Sequence, residues 1–455
     1  MIDLRQVTLH SSLSSGQRKI VERALAGESF FFTGAAGTGK SFVLKEIIRV
    51  LKMHYDDDEV QVVAPTGMAA LELGGWTIHS FAGIGLGLEP MDKLKEKVMK
   101  NAKSRNRWRQ TCVLIVDEVS MLSADLFDKL EYLAQQVRRR GGVGQGFGGM
   151  QLILCGDFFQ LPPVMKVDRN VISLDDSKNK RYAFQSKNWP NCVTKTYTLK
   201  DIFRQVGDNQ FIEILNEIRM GKPSDKTMAE LQRRVKGRGM RLNLGMEPTK
   251  LFPTKNQVQD WNLEMLKRLE GLVVTYKATC STLYNDPNSF HEKALKESCP
   301  APEQLHLKQG ALVVLLRNKK DWDLVNGSRG IVRGFAPPTK PGEQGDPIVE
   351  FENRGDLIPV SKERWTIERG DEVVASLEQI PLTLSWALSI HKSQGMTISQ
   401  IEVSLKDIFE DGQAYVALSR VTSLAGLVIT EDFPKTAIRT NPDVVSFYQS
   451  LSLVE

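Results

Sequence analysis

Cysteine is scarce and unpatterned: Cys112, Cys155, Cys192, Cys280 and Cys299 are scattered, odd in number and never spaced C-x-x-C. That excludes a zinc ribbon, a disulfide framework and an iron–sulfur cluster, and it fits a reducing compartment. No apolar run approaches the ~20 residues of a membrane span, so no membrane association is expected. The N-terminus shows neither a secretory apolar region nor an arginine-rich amphipathic leader, so no targeting segment is visible. Nor is there a large excess of one charge. A net +5 over 455 residues is weak evidence for a polyanionic partner, and local clustering matters more. With 41% hydrophobic and 25% charged residues the chain reads as ordinary and globular. Its length exceeds one comfortable core, which predicts two or more domains. Met1 lies so close to the first motif that the chain could be a core excised from a longer protein.

What is present centres on GESFFFTGAAGTGKS, Gly27 to Ser41. The apolar run Phe30 to Thr33 predicts a short buried strand. It breaks into Gly34-Ala35-Ala36-Gly37-Thr38-Gly39-Lys40-Ser41, which fits G-x-x-x-x-G-K-[ST]. In the following run Leu44, Ile47, Ile48 and Leu51 share one helical face. Strand, glycine loop and helix together are the context in which backbone N–H groups close around phosphate oxygens, aided by the helix dipole. Lys40 would reach the β- and γ-phosphates of a nucleoside triphosphate and Ser41 would hold Mg²⁺. A plain glycine-rich turn before an ordinary helix accounts for fewer of these features.

Upstream, Ser14 or Ser15 caps a predicted helix carrying Ile20, Val21, Ala24 and Leu25, with Gln17 in its first turn. A carboxamide there could read an adenine edge through one donor and one acceptor. Downstream, Val60 to Ala64 predicts a strand, followed by the turn Pro65-Thr66-Gly67 and then by Trp76-Thr77-Ile78-His79-Ser80-Phe81. Hydroxyls and an aromatic after a parallel strand suit a nucleic-acid groove, although Trp76 and Phe81 taken alone read more readily as core residues. Residues 91–110 hold eight lysines and arginines around Trp108, against Asp92 and Glu96. Two readings stand for that stretch, phosphate contact and a solvated helix face. Cys112 to Val116 predicts a strand ending in Asp117-Glu118, a metal partner and a carboxylate able to polarise water. A helix is expected over 125–140. Gln151 to Cys155 predicts a further strand, with Gln160 beyond it placed to sense a γ-phosphate. Strands at 30–33, 60–64, 112–116 and 151–155 describe a parallel sheet with its ligand at the strand ends.

Arg204 stands where the chain leaves this half. Short β-rich runs with Gly and Asn turns between about 279 and 380 predict a small barrel. An α/β pattern then resumes, with His391, Lys392, Ser393, Gln394 and Thr397 gathering donors in one turn and Arg420 ending an amphipathic segment.

The ordered set GAAGTGKS, APTGMAA with TIHSFAGIG, LIVDEVSM, LCGDFFQLPP, PLTLSWALSIHKSQGMT and QAYVALSR resembles the motifs of superfamily I helicases of the 5′-to-3′ branch. ADLFDKLEYLAQQVR followed by GFGGMQLILCGDFFQLPP resembles the signature of the PIF-type (petite integration frequency) DNA helicases. The resemblance runs from Leu13 to about Tyr448. It implies an α/β fold of two RecA-like parallel-sheet domains with ATP between them. The first would span 1–205, with a wedge insertion near 85–100. The second would comprise 206–278 and 381–455, interrupted by a Src-homology-3-like β-barrel at 279–380.

The resemblance also implies roles. Gln17 would contact adenine, and Gly34, Ala35, Ala36, Gly37, Thr38, Gly39, Lys40 and Ser41 would cradle the phosphates. Ser41 and Asp117 would hold Mg²⁺, Glu118 would be the general base, Gln160 the γ-phosphate sensor, and Arg204 and Arg420 the arginine fingers. Thr66, His79, Ser80, Phe81, Thr254, His391, Ser393 and Thr397 would lie along single-stranded DNA, with Gln394 coupling strand and nucleotide. The implied activity is ATP-driven 5′-to-3′ movement on single-stranded DNA and unwinding of duplex or structured DNA in replication, repair, recombination and telomere maintenance. The partners would be single strands and single-strand–duplex junctions, met by a protein monomeric in solution. A eukaryotic member would belong in the nucleus or mitochondrion, a bacterial one in the cytoplasm. The chain as given carries no substantial N-terminal extension, so the accessory partner-binding functions of longer relatives are not assumed for it. Two other readings compete: a DNA-stimulated ATPase that clamps without unwinding, and a phosphate-loop metabolic kinase, against which the HKSQG turn and the late arginine speak.

Overall fold

The computed structural model describes residues 7–138, 146–163, 181–205, 207–236, 246–282, 292–293, 295–296, 299–338, 344–352, 354–369 and 372–451. The ends of the predicted helix at 139–140 and parts of the expected barrel, such as 283–291, lie outside them. The chain divides into two compact units, one of residues 1–203, 367–374 and 442–455, the other of 204–366 and 375–441.

The first unit is built on six strands: β1 Phe30–Gly34, β2 Val60–Ala64, β3 Trp76–Thr77, β4 Val113–Val116, β5 Gln151–Cys155 and β6 Thr196–Leu199. They lie in the order β3-β2-β4-β5-β1-β6, and every pairing is parallel. β1, β2 and β4 are buried at every residue, as expected of a parallel sheet covered on both faces. Helices α1 Ser15–Leu25 and α2 Lys40–Leu51 cover one face. Their apolar stripes, Ile20, Val21, Ala24 and Leu44, Ile47, Val50, join Phe30, Phe32, Ile115 and Ile153 in one core.

The register aligns the strand ends: Phe32 lies opposite Cys155, Leu154 opposite Val116, and Val116 opposite Val63. The residues that follow the strands therefore emerge along one edge: the glycine loop after β1, Pro65-Thr66 after β2, Asp117-Glu118 after β4 and Gly156-Asp157 after β5. In doubly wound sheets that edge is where ligands bind. Beyond β2 come α3 Gly67–Glu72, α4 Ile78–Ala82, α5 Met91–Lys100, α6 Ala102–Gln110 and α7 Ala124–Arg138.

The second unit has its own four-stranded parallel sheet, ordered Ala387–Ser389, Thr249–Phe252, Ile401–Val403 and Leu427–Ile429. Between the first two of these in sequence lies an antiparallel β region. Its five-stranded sheet runs Leu357–Pro359, Pro347–Phe351, Arg329–Phe335, Leu312–Leu315, Leu382–Leu384. Antiparallel pairing begins at Val274 and reaches Leu384, a wider span than the expected 279–380. Its core includes Val313, Leu315, Val332, Val349, Phe351 and Leu382, and takes in Leu266 and Trp386 from the flanking α/β segments. Among the described residues no helix is long and apolar enough to cross a membrane.

Candidate nucleotide and nucleic-acid site

The glycine loop is held open by backbone geometry. Gly37 and Gly39 sit at φ 85° and 78°, where a side chain is strained. A Cβ on Gly34 would come within 2.6 Å of Thr38 Oγ1, and one on Gly39 within 2.7 Å of Gln17 Nε2. Thr38 Oγ1 donates across the loop to the Ala35 carbonyl at 2.9 Å. Lys40 folds back, its Nζ donating to the carbonyls of Gly34 at 2.8 Å and Ala35 at 3.1 Å. α2 starts with neither a capping side chain nor an acidic residue in its first turn, leaving its positive end for an anion. Ser41 is exposed there.

Gln17 takes a different part from the one expected. Its Oε1 accepts from Ser14 N–H at 3.1 Å in a reciprocal capping box, and its Nε2 donates to the Thr38 carbonyl at 3.3 Å. The residue is 2% exposed. One end of its carboxamide caps α1 and the other braces the loop, so only its second Nε2 N–H is left for a base.

Asp117 and Glu118 follow β4 with different burial. Asp117 is buried, and desolvation holds its carboxyl above the usual range against the opposing pull of its hydrogen bonds and of Lys40. Glu118 is half-buried in the left-handed region at φ 49°, a costly conformation for a non-glycine residue. A buried carboxylate short of compensating charge, with a hydroxyl at Ser41, is an all-oxygen donor set that fits Mg²⁺ held partly by substrate phosphates. Among the described residues no cluster of three or more His, Cys, Asp or Glu could form a dedicated metal cage. Gln160 is 5% exposed, its N–H donating to the Asp157 carbonyl at 2.9 Å.

The residues expected along DNA in this unit divide. Thr66 caps α3, its Oγ1 accepting from Ala69 N–H, and His79 and Ser80 are half-buried. Ser80 Oγ accepts from Thr77 Oγ1 at 2.7 Å. Phe81 corrects the expectation of a base platform. At 1% exposure it packs on Trp108, ring centroids 5.0 Å apart, and has no free face. The basic stretch explains why. Arg107 donates to the carbonyls of Ser80 and Phe81, its guanidinium 5.0 Å from the Trp76 ring centre, and Trp108 Nε1 donates to the Ala82 carbonyl. Arg107 and Trp108 therefore pin α4 from within. Lys97 and Lys100 pair with Glu89 and Glu96, while Lys93 and Lys103 are exposed.

In the second unit two arginines converge on one turn. Arg204 donates to Thr397 Oγ1 at 3.1 Å, the Ser419 carbonyl at 3.1 Å and the Gly395 carbonyl at 3.4 Å. It is half-buried, and desolvation pushes its guanidinium down to about 10, still a cation at neutral pH. Arg420, 2% exposed, donates to the Val416 carbonyl at 2.8 Å, Ser419 Oγ at 2.8 Å and the Ser393 carbonyl at 3.5 Å. Thr397, expected on DNA, thus presents its hydroxyl to Arg204.

Ser393 is also corrected: fully buried, it donates its hydroxyl to the Ile390 carbonyl at 2.8 Å and offers none to a phosphate. His391 is half-buried, and desolvation lowers its pKa, so the ring is neutral at pH 7. Gln394 is half-buried beside it, and Thr254 is exposed, its Oγ1 donating to Gln257 Oε1 at 2.6 Å. Sequence reasoning passed over Tyr448, whose hydroxyl meets Thr33 and Asp157 in the first unit.

A family model for PIF1-like helicases matches residues 12–229, and one for the 2B domain of the DNA helicase Pif1 matches 291–335. The ATP-dependent DNA helicase PIF1 of Emericella nidulans is 39% identical over 481 residues, covering 95% of this chain and 62% of the relative. The chain spans about three-fifths of the length of the curated relatives it matches. The crystal structure of the Pif1 helicase from Candida albicans has 39% identity and a TM-score of 0.73, covering 97% of this chain and 100% of that one. The Bacteroides Pif1 helicase solved with ADP-AlF3 and single-stranded DNA has 30% identity and a TM-score of 0.63, each chain covered to 97%.

Proposed function

The chain belongs to the PIF1-like helicase family, and from that membership we propose that it is an ATP-driven DNA helicase moving 5′-to-3′ on single-stranded DNA and opening duplex or structured DNA in genome maintenance. The observation that carries this is the glycine loop with Lys40 at the end of β1, aligned along one sheet edge with Asp117, Glu118 and Gln160.

Phosphoryl transfer asks the protein mostly for positioning and charge neutralisation. Loop N–H groups and the α2 terminus take the phosphates, and Lys40 exchanges its loop carbonyls for phosphate oxygens. Ser41 and Asp117 would hold Mg²⁺, which when bound neutralises charge on the phosphates. Glu118, held in the left-handed region at the end of β4, accepts the proton of the attacking water. Gln160 reports the state of the γ-phosphate. Arg204 and Arg420 supply the remaining positive charge to the transition state. Thr66, His79, Ser80, Thr254 and His391 contact the strand, and Gln394 links strand to nucleotide. The antiparallel region, about 279–380 at its core, acts as a Src-homology-3-like barrel engaging duplex, with a wedge near 85–100. Separating a duplex costs a mean of about 1.4 kcal/mol of stacking per base-pair step, a modest load for an ATP-driven cycle. The working form in solution is a monomer.

ATP turnover with and without single-stranded DNA, followed by strand displacement on substrates with 5′ or 3′ tails, tests the proposal. Expected are DNA-stimulated turnover and displacement from the 5′ tail alone. Turnover indifferent to DNA points to a metabolic kinase, and stimulated turnover without displacement points to a clamp.

A further inference from the structure

We propose that Tyr448 is a positioning residue for ATP hydrolysis, its hydroxyl locking the strand that carries the phosphate loop to the turn that carries Gln160. The inference rests on the function proposed above. The C-terminal helix Pro442–Ser450 belongs to the first unit, although residues 375–441 before it belong to the second. Its Tyr448 hydroxyl lies 2.8 Å from Thr33 Oγ1, 3.2 Å from the Phe158 N–H nitrogen and 3.4 Å from Asp157 Oδ1. Thr33 is the residue before the first glycine of the loop, and Asp157 opens the turn after β5. Both are fully buried, and their strands are neighbours, with Phe32 opposite Cys155.

These contacts suit a phenol's one donor and two acceptor positions. The carboxylate of Asp157 can only accept, so Tyr448 donates to it and accepts from Thr33 O–H and Phe158 N–H. Asp157 relays the constraint: Oδ1 also accepts Phe159 N–H at 3.2 Å, and its carbonyl accepts Gln160 N–H at 2.9 Å. Three residues, Thr33, Asp157 and Phe158, thereby share one hydroxyl between the start of the phosphate loop and the turn that carries Gln160.

Packing holds that hydroxyl in place. The Tyr448 ring stacks on Phe159, centroids 4.6 Å apart, and Phe447 stacks on Phe184 at 4.2 Å. At the helix start Gln185 Nε2 donates to Asp443 Oδ2 at 2.9 Å. Docking of the helix is thus separable from the hydroxyl: the rings and the Asp443 contact dock it, while the O–H makes its polar contacts at the two strand ends.

Tyr448→Phe keeps the rings and removes the O–H, and Asp443→Asn weakens docking far from the strand ends. A shift of about 1 Å in a catalytic group can cost on the order of a hundredfold in rate. For Tyr448→Phe, kcat of DNA-stimulated ATP hydrolysis is expected to fall about tenfold or more, with KM for ATP and the melting temperature near wild type. Asp443→Asn is expected to turn over normally. A Tyr448→Phe kcat equal to that of an active wild type overturns the inference and leaves the function intact. Equal losses in both variants, accompanied by lower melting temperatures, also overturn it, because they make the helix a docking element only. A wild type that hydrolyses no ATP overturns both readings.

Discussion

Replacing Phe81 separates packing from recognition more sharply than any other substitution in the first unit. The ring is 1% exposed, lies against Trp108 at 5.0 Å and sits 5.7 Å from the Arg107 guanidinium. Removing a buried phenylalanine side chain costs about 3–5 kcal/mol in transfer and cavity terms. In a unit of roughly 200 residues each kcal/mol lowers the melting temperature by about 2–4 °C, so Phe81→Ala should melt roughly 6–20 °C below wild type. Phe81→Leu keeps an apolar group of similar bulk and should cost only about 1–2 kcal/mol. Thermal melts, affinity for a fluorescent ATP analogue and anisotropy with a labelled single strand should be measured on both variants. Phe81→Leu is expected to bind single strands like wild type, and Phe81→Ala to lose stability and both affinities together. A lost base stack is worth about 1–3 kcal/mol, which registers as roughly 5- to 150-fold in affinity. A Phe81→Leu variant that melts normally yet binds DNA that much more weakly would refute the packing account.

Glu118→Gln should retain ATP binding while turnover falls about a hundredfold or more, the usual worth of a general base; loss of binding as well would make Glu118 structural. Arg204→Ala should lower kcat by roughly a thousandfold with nucleotide affinity nearly unchanged, since a finger's charge matters most in the transition state; a rate within a few fold of wild type removes the role. His391→Ala should weaken single-strand binding without altering the slope of log affinity against log salt, because desolvation keeps the ring neutral at pH 7. A slope shallower by about 0.7 would instead show that a cationic His391 had neutralised a phosphate.

The strand ends of the first unit were legible because each part carries its own sequence signal. The strands read at 30–33, 60–64, 112–116 and 151–155 form at Phe30–Gly34, Val60–Ala64, Val113–Val116 and Gln151–Cys155. Long apolar runs ending in Gly or acidic residues have few other uses. Phe81 and Ser393 were misread for one common reason: burial is decided by partners distant in sequence. Phe81 is covered by α6, which looked like a surface charge cluster, and nothing around Ser393 announces that its hydroxyl bonds to its own helical turn. Gln17 was placed correctly beside the loop, but the capping box claims its carboxamide. Tyr448 could not have been found, since an amphipathic C-terminal segment says nothing about which strand ends it will reach.

Lys40 already has occupants for its charge, the carbonyls of Gly34 and Ala35. The loop is therefore its own resident competitor, and nucleotide capture is a displacement rather than the filling of a bare cationic hole. The net gain is a difference between two sets of charge-assisted contacts, smaller than either alone. Because the competitor is tethered, it is always at hand when a spent nucleotide loosens, and it re-forms the loop's shape without a fresh ordering cost. For the ATP-driven cycle proposed above, which must let go once in every turn, a grip that is weaker than it could be gains speed.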